Sequence, residues 1–484
     1  MKKIIYYLFL VLLISSCKQS SGPWIDLIDG QNLENWKMIR QSDQFKIENG
    51  TLVCSGNSGF MLSEKAGKVK NFELTAEVQT SPGSFAALVF HTTENHLNDT
   101  PEGYQVIISN SPGNMNAKET AVKSGSLLGI RHNYFTVAND GEWFTLSVKL
   151  IENHVETSIN GVKVMEYTQP RNPWRNTAFS KRIFSEGYFG LETMAGETRF
   201  KSFRYMTLPD EEYVNPPVDQ EWDTRVTKLA EQNFPLIDFH VHLKGGLTIE
   251  QAIENAQKLG INYGIAPNCG LKFPVTDDAS LSVYMDTVRG KPIFRGMQAE
   301  GREWITLFSP EAVAKFDYVF TDALTFTDYK GRRSRMWIPE EVWVDDKQQF
   351  MDQLVGKIEA IMSQEPVNIY VNPTLLPAAL MPEYDQLWTP DRVARVVKVL
   401  KDNNITLEIN ARYKVPHPQI IKEAKKAGLK FSFGTNNSAA DLGQLEYCLQ
   451  MIQECQLLPE DMFLPPLHQE KPVLVKGLPE KITG

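Results

Sequence analysis

The segment Asp238-Phe239-His240-Val241-His242 sets two imidazoles two residues apart at the end of an apolar run. A β-strand has a side-chain period of two, so His240 and His242 are expected on one face, with Val241 on the other. Side-by-side imidazoles suit a shared ligand, above all a divalent metal ion. Asp238, two residues before the pair, is expected on that face too, where it would accept an imidazole N–H.

The elements that must hold this pair can be read from the rhythm of the chain around it. From residue 234 onward, apolar runs alternate with amphipathic stretches: PLIDFHVH with TIEQAIENAQKLG, NYGIAPN with SLSVYMDTV, PIFRGMQAEG with SPEAVAKF, and DYVFTDAL with QQFMDQLVGKIEAIMSQ. NIYVNPT with DRVARVVKVLKDN, TLEINARY with PQIIKEAKKAG, and KFSFGTNN with GQLEYCLQMIQEC complete seven βα units. Seven such units imply a (β/α)7 TIM-like barrel over 227–484, with its chemistry at the carboxyl ends of the strands. Those ends carry His240 and His242, Asn268, Glu300, Asp322, Asn372, Glu408 with Asn410, and Thr435 with Asn436 and Asn437. Lys244, Arg302, Arg412, Lys414 and the basic run 330–335 follow them and could hold an anionic group.

The first half of the chain has a different period. In NFELTAEVQT, Phe72, Leu74, Ala76 and Val78 alternate with Glu73, Thr75, Glu77 and Gln79, and Asn160-Gly161 marks a hairpin turn. Many short strands broken by Gly, Asn and Pro imply an all-β sandwich over 24–208. Trp24, Trp36 and Trp143 are expected in its core. Residues 209–226, acidic and proline-bearing, are expected to be a linker. At 484 residues, 42% hydrophobic and 23% charged, the chain is a multidomain protein. A net charge of −9 without a dense basic block argues against a nucleic-acid partner.

Residues 1–16 have Lys2 and Lys3, an apolar run and a small-residue end, the parts of a signal peptide. Ile14-Ser15-Ser16-Cys17 resembles a bacterial lipobox, which implies lipidation at Cys17, a tether over 17–23, and anchoring to a membrane of the cell envelope, facing the periplasm or the cell surface. Cys54, Cys269, Cys448 and Cys455 show no disulfide framework, and no structural disulfide is expected.

Within 24–208, WIDLIDGQNLENW, FKIENGTLVCSG, FELTAEV, GYQVII, GEWFTLSVKL, SINGVKV and GYFGLE occur in an order that resembles the 3-keto-disaccharide hydrolase family. The resemblance implies a concanavalin-like jelly roll and cleavage of glycosides oxidised at the 3-position. Where that family has carboxylates and an arginine, this chain has Gln105, Asn110 and His91, so a binding module is as compatible as an enzyme. His91, Gln105 and Glu192 are the candidate sugar contacts.

The barrel half, opening on Asp238-Phe239-His240-Val241-His242, resembles the PHP family of metal-dependent phosphoesterases. That resemblance implies two or three metal ions and assigns Glu300 as a ligand. Asn268, Asn372 and Asn436 stand where the family has better ligands, which leaves one ion, Zn, Mn or Co, on His240, His242 and Glu300. Asp322, Glu408 or Asn436 would complete the site, and Glu300, Asp322, Glu408 and Arg302 are the candidate catalytic groups. The expectation is an envelope-anchored hydrolase or lyase acting on a small carbohydrate. A glycan-binding lipoprotein with decayed centres and a metal-dependent phosphoesterase are the alternatives.

Overall fold

The computed structural model describes residues 21–97, 102–111 and 121–466. The signal segment, Cys17 and the first part of the tether lie outside the described residues. Among the described residues no helix is long and apolar enough to cross a membrane.

Two antiparallel sheets form the first domain. One runs Val162–Thr168, His154–Ile159, Phe144–Ile151, Phe72–Thr80, Glu197–Thr207, Thr51–Ser55, Phe45–Glu48, and the facing one runs Trp36–Arg40, Gly59–Ser63, Tyr188–Ala195, Phe85–Thr92, Tyr104–Ile108. Phe72, Leu74, Ala76 and Val78 are buried between them, as the alternation requires. Asn160 and Gly161 both take positive φ, 49° and 78°, so the hairpin closes with Ile159 opposite Val162. Trp36 is buried, but Trp24 and Trp143 are exposed, contrary to the core expectation. Each instead lies under a cation: Arg204 over Trp24 and Lys201 over Trp143. All four described cysteines are free and buried.

The second domain is a closed ring of seven parallel strands: Ile237–Val241, Asn262–Ile265 continued by Asn268–Cys269, Phe294–Ala299, Tyr318–Thr321, Ile369–Tyr370, Thr406–Asn410 and Phe431–Gly434, which pairs back to the first. Helices Ile249–Leu259, Asp278–Val288, Lys347–Gln364, Pro390–Asp402, Pro418–Lys426 and Glu446–Glu454 follow individual strands. Their starts are written in the sequence: Thr248, Asp277, Asp346 and Thr389 each cap a helix through a side-chain oxygen. The third helix starts where SPEAVAKF implies, with Ser309 as cap and Pro310 in first position, but ends early at Val313, and a separate turn Trp304–Leu307 precedes it.

The segment expected as linker is partly helical. Asp219 caps a helix over Gln220–Glu231, and that helix joins the domains. Its Asp223 pairs with Arg131 of the jelly roll at 2.6 Å, both almost fully buried. Asn262, at the start of the second barrel strand, accepts from Tyr134 N and donates to His132 O. Phe135 packs edge-on to Phe294, and the barrel-lining Phe239, Phe294, Tyr318 and Phe320 are continuous with the jelly-roll core. The jelly roll thus covers the amino ends of the barrel strands. Polar chemistry is left the carboxyl ends.

Candidate functional site

The first barrel strand breaks its own two-residue period. Asp238 pairs with Tyr263 and Val241 with Ile265, three steps against two, so a bulge falls at Phe239 and His240. Phe239 faces the barrel interior, against Tyr318, and His240 follows it inward, against Phe320. Asp238 is therefore not on the histidine face. Its carboxylate accepts from His240 N at 3.1 Å, Thr435 N at 3.0 Å and Thr435 Oγ1 at 2.6 Å, and it does not orient an imidazole.

That role falls to Glu408 and to a backbone carbonyl. His240 Nδ1 is 2.6 Å from Glu408 Oε1, and His242 Nδ1 is 2.8 Å from Ala266 O. A carboxylate and a carbonyl accept, so both Nδ1 atoms carry a proton, and in the neutral rings both Nε2 atoms present lone pairs. Both Nε2 atoms are buried and have no hydrogen-bond partner. The two rings stand 5.1 Å apart between centroids and 79° to one another. Asn437 pins the His242 backbone by accepting from His242 N and donating to His242 O, each at 2.8 Å.

Glu408, expected among the catalytic groups and as a completing ligand, is saturated instead. Besides His240 it accepts from Asn372 N at 2.6 Å and Asn410 Nδ2 at 3.0 Å, and it is 1% exposed. The asparagines form a closed relay: Asn372 Oδ1 accepts from Asn410 at 3.0 Å and from Asn436 at 2.8 Å. The Asn372 amide oxygen, with two donors, has no lone pair to offer an ion, so the fifth-strand ligand that the PHP resemblance needs for several metals is missing. Asn372, Thr374, Lys414 and Asn436, all at this end, have φ between 46° and 61°. Such left-handed conformations concentrate at binding sites held in place by their surroundings.

Glu300 and Asp322 supply the remaining acidity. Burial and the neighbouring Asp322 push the Glu300 carboxyl up to about 8, while Asn268, donating at 2.7 Å, works the other way. Burial raises Asp322 as well, opposed by the Leu324 amide and Arg302. Arg302 is not a free anion holder: it pairs with the fully buried Glu365 at 2.8 Å and donates to Thr321 Oγ1 at 2.9 Å. Trp304 Nε1 donates to the other Glu365 oxygen at 2.8 Å. Glu365 escaped the sequence reading, although an acid at the carboxyl end of helix Lys347–Gln364, where the dipole disfavours it, was a signal. Lys244 is half-buried beside Glu300, and burial lowers its pKa.

As a test for a single ion, two buried imidazole lone pairs with fixed tautomers fit. A third ligand is less ready. Among the described residues, the one trio of His, Cys, Asp or Glu with ligand atoms all within 4.8 Å of one another is His154, Glu156 and Glu166, on the jelly roll. Lys163 already pairs with both of those glutamates, so a cation fills that place. Glu300 or Asp322 would have to close on His240 and His242 from the facing strands.

On the jelly roll, Gln105 and Glu192 do meet: Gln105 Nε2 donates to Glu192 Oε2 at 2.6 Å, and Arg182 donates to Gln105 Oε1 at 2.9 Å. Arg182 lies in an irregular segment with no sequence signal; burial lowers it to about 10, and its guanidinium covers the Phe179 ring at 4.0 Å. His91 does not belong to this set. Its Nε2 donates to Lys70 O at 2.8 Å and its Nδ1 accepts from Ser185 N at 3.3 Å, which leaves nothing for a sugar. Asn110 is likewise internal, bonded to Thr80 and Ser124.

With this geometry in view, the comparisons bear on the first domain. A family described as the 3-keto-alpha-glucoside-1,2-lyase-like domain matches residues 23–206. Comparison with curated proteins returns no match. Among solved structures, a provisionally assigned glycosyl hydrolase from Parabacteroides distasonis is similar at 18% identity, over 39% of this chain and 94% of that one, with a TM-score of 0.34. A second from the same organism aligns at 20% identity over 38% of this chain and all of the other, TM-score 0.31. A CBM66 carbohydrate-binding module from Bacillus subtilis aligns at 12% identity over 36% and 92%, TM-score 0.23. The class that emerges is a protein whose residues 23–206 form a two-sheet β-sandwich matching that family model, followed by a parallel barrel.

Proposed function

We propose that the protein is a carbohydrate-active lyase or hydrolase of the cell envelope, anchored through Cys17, whose barrel cleaves glycosides oxidised at the 3-position. The observation that carries this reading is the pair of buried, unpartnered Nε2 atoms on His240 and His242, each with its tautomer fixed from behind. A divalent ion held there, Zn, Mn or Co, would polarise the sugar ketone. The ketone acidifies the C2–H bond; a carboxylate takes that proton, the C1–O bond breaks as C1=C2 forms, and the departing oxygen takes a proton. Water then adds back across C1=C2. Glu300 and Asp322, two acids in one buried place, divide the remaining roles in this reading, one closing on the ion and the other taking the C2 proton and returning it to the departing oxygen. Arg302 is held beside them by Glu365.

The jelly roll serves sugar binding through Gln105, Glu192 and Arg182 in this reading. It docks at the amino ends of the barrel strands, so it binds apart from the chemistry rather than completing it. A second reading, a glycan-binding lipoprotein without turnover, is favoured by one observation: among the described residues, no third His, Cys, Asp or Glu ligand atom already forms a trio within 4.8 Å with the two histidines. A phosphoesterase has less support, since Arg302 is neutralised by Glu365 and the site is rich in carboxylates.

Elemental analysis of the purified protein, together with turnover of 3-keto-trehalose, separates these readings. About one equivalent of metal, lost together with activity in the His240→Ala/His242→Ala double variant, is the expected result. Metal-free protein that gains no activity from Zn, Mn or Co overturns the lyase reading in favour of the binding protein.

A further inference from the structure

Four buried side-chain polar atoms of the barrel have no hydrogen-bond partner among the described residues: His240 Nε2, His242 Nε2, Gln298 Oε1 and Ser432 Oγ. The first two are the candidate metal ligands. Gln298 is 6% exposed, and an amide oxygen buried at that depth without a donor is destabilising unless something takes up its lone pairs. The asparagines at this end of the barrel are already spent. Asn372 Oδ1 accepts twice, Asn410 Oδ1 accepts from Tyr413 N at 2.9 Å, and Asn437 Oδ1 accepts from His242 N. Gln298 Oε1 is not spent.

The third barrel strand aims this side chain at the histidines. Gly296 and Gln298 alternate onto one face, and a Cβ on Gly296 would meet Tyr318 Oη at 2.5 Å, which places that face in the barrel interior. Met297, between them, packs outward with Val319. Gln298 pairs in register with Phe320, and the His240 ring lies against Phe320 with centroids 4.7 Å apart. The second strand ties the same residues from its two edges: Pro267 O accepts from Gln298 N at 3.1 Å, and Ala266 O holds His242 Nδ1 at 2.8 Å. Gln298 thus shares a layer of the interior with the two imidazoles, two residues before Glu300.

Resting on the reading that His240 and His242 hold a divalent ion, we propose that Gln298 Oε1 is the third protein ligand of that ion. Glu300 or Asp322 then closes a fourth position rather than the third. Two imidazoles and an amide are neutral donors, so before an acid closes the ion keeps its full double charge, which suits the polarisation of a carbonyl oxygen. The same neutrality makes the site weaker than one built on a carboxylate, so each of the three donors should matter to occupancy.

The test titrates the intact, metal-stripped protein with Co2+, whose visible absorption reports both occupancy and the ligand set. Wild type is expected to bind about one equivalent and His240→Ala/His242→Ala none. Gln298→Leu, close in size, should bind at least about tenfold more weakly with an altered spectrum, a loss no smaller than that of removing a mere support of a ligand. Gln298→Glu returns an oxygen at the same reach and should bind at least as tightly as wild type. In urea, metal-free Gln298→Leu should be no less stable than metal-free wild type, because a hydrocarbon replaces an amide without a partner. Unchanged Co2+ affinity in Gln298→Leu overturns the ligand role and leaves the ion on the histidines. A loss that Gln298→Glu does not recover overturns it as well, and wild type that binds no Co2+ takes the metal reading with it. Binding that depends on Gln298 without turnover of 3-keto-trehalose supports the ligand role and overturns only the lyase reading.

Discussion

His240 Nδ1 and Glu408 Oε1 are 2.6 Å apart with both residues 1% exposed, and this contact makes the outer nitrogen of His240 a lone-pair donor. Glu408 is in turn held by Asn372 N and Asn410 Nδ2, so the imidazole inherits its aim from strands far away in sequence. A buried carboxylate behind a histidine raises the basicity of the ligating nitrogen.

Glu408→Gln should therefore weaken metal binding without removing a ligand. The amide can still accept from His240, but its NH2 then faces the donors of Asn372 and Asn410. Affinity for zinc, measured by competition with a chromogenic chelator, is expected to fall about 10- to 100-fold. An unchanged affinity would mean that Glu408 only packs.

Glu365→Leu should leave Arg302, a fifth exposed, and the buried Trp304 Nε1 without their shared acceptor. Breaking a buried pair from one side costs about 3–5 kcal/mol, and urea denaturation should register a loss of that order. Glu359→Leu, which removes a partner of the more exposed Arg395, is the control and should cost under about 1 kcal/mol.

The join between the domains offers a similar test. Arg131→Ala abandons the Asp223 carboxylate, whose Oδ2 already has no partner, inside the contact between jelly roll and barrel. A loss of about 3–5 kcal/mol is expected. Limited proteolysis should then release the two halves by cutting near the joining helix Gln220–Glu231, where the wild-type chain resists.

Acid should destabilise the jelly roll through His91. Burial lowers its imidazole to about 4, from an ordinary value near 6.5, so the unfolded chain binds the proton first as pH falls. The contribution is complete above pH 6.5 and disappears progressively toward pH 4, amounting to about 3 kcal/mol at most. His91→Asn removes the titration and tolerates the φ of 52° found there. That variant should be less stable at pH 7.5 yet lose less between pH 7 and 5, as read from urea midpoints. A slope equal to that of wild type would place the acid sensitivity elsewhere.

The sequence by itself determined the two periods, the seven strand ends and the shared face of His240 and His242, because side-chain alternation and helix caps are local properties that survive folding unchanged. It named Gln105 and Glu192, with His91, as candidate sugar contacts, and the fold brings the first two together at 2.6 Å while holding His91 apart. It could not place Asp238, because a bulge depends on how two strands pair and shifts the face of everything before it. Nor could it tell Glu408 the support from Glu300 the acid. Both are glutamates at or near the ends of apolar strands, and only the neighbours brought in by closing the barrel decide that one is surrounded by donors while the other faces a second carboxyl. His91 and Arg302 were decided the same way, by the Lys70 carbonyl and by Glu365, partners 21 and 63 residues distant along the chain. Residue type and spacing state which chemistry is available; which atoms remain free to perform it is set by contacts that exist only once the chain has closed on itself.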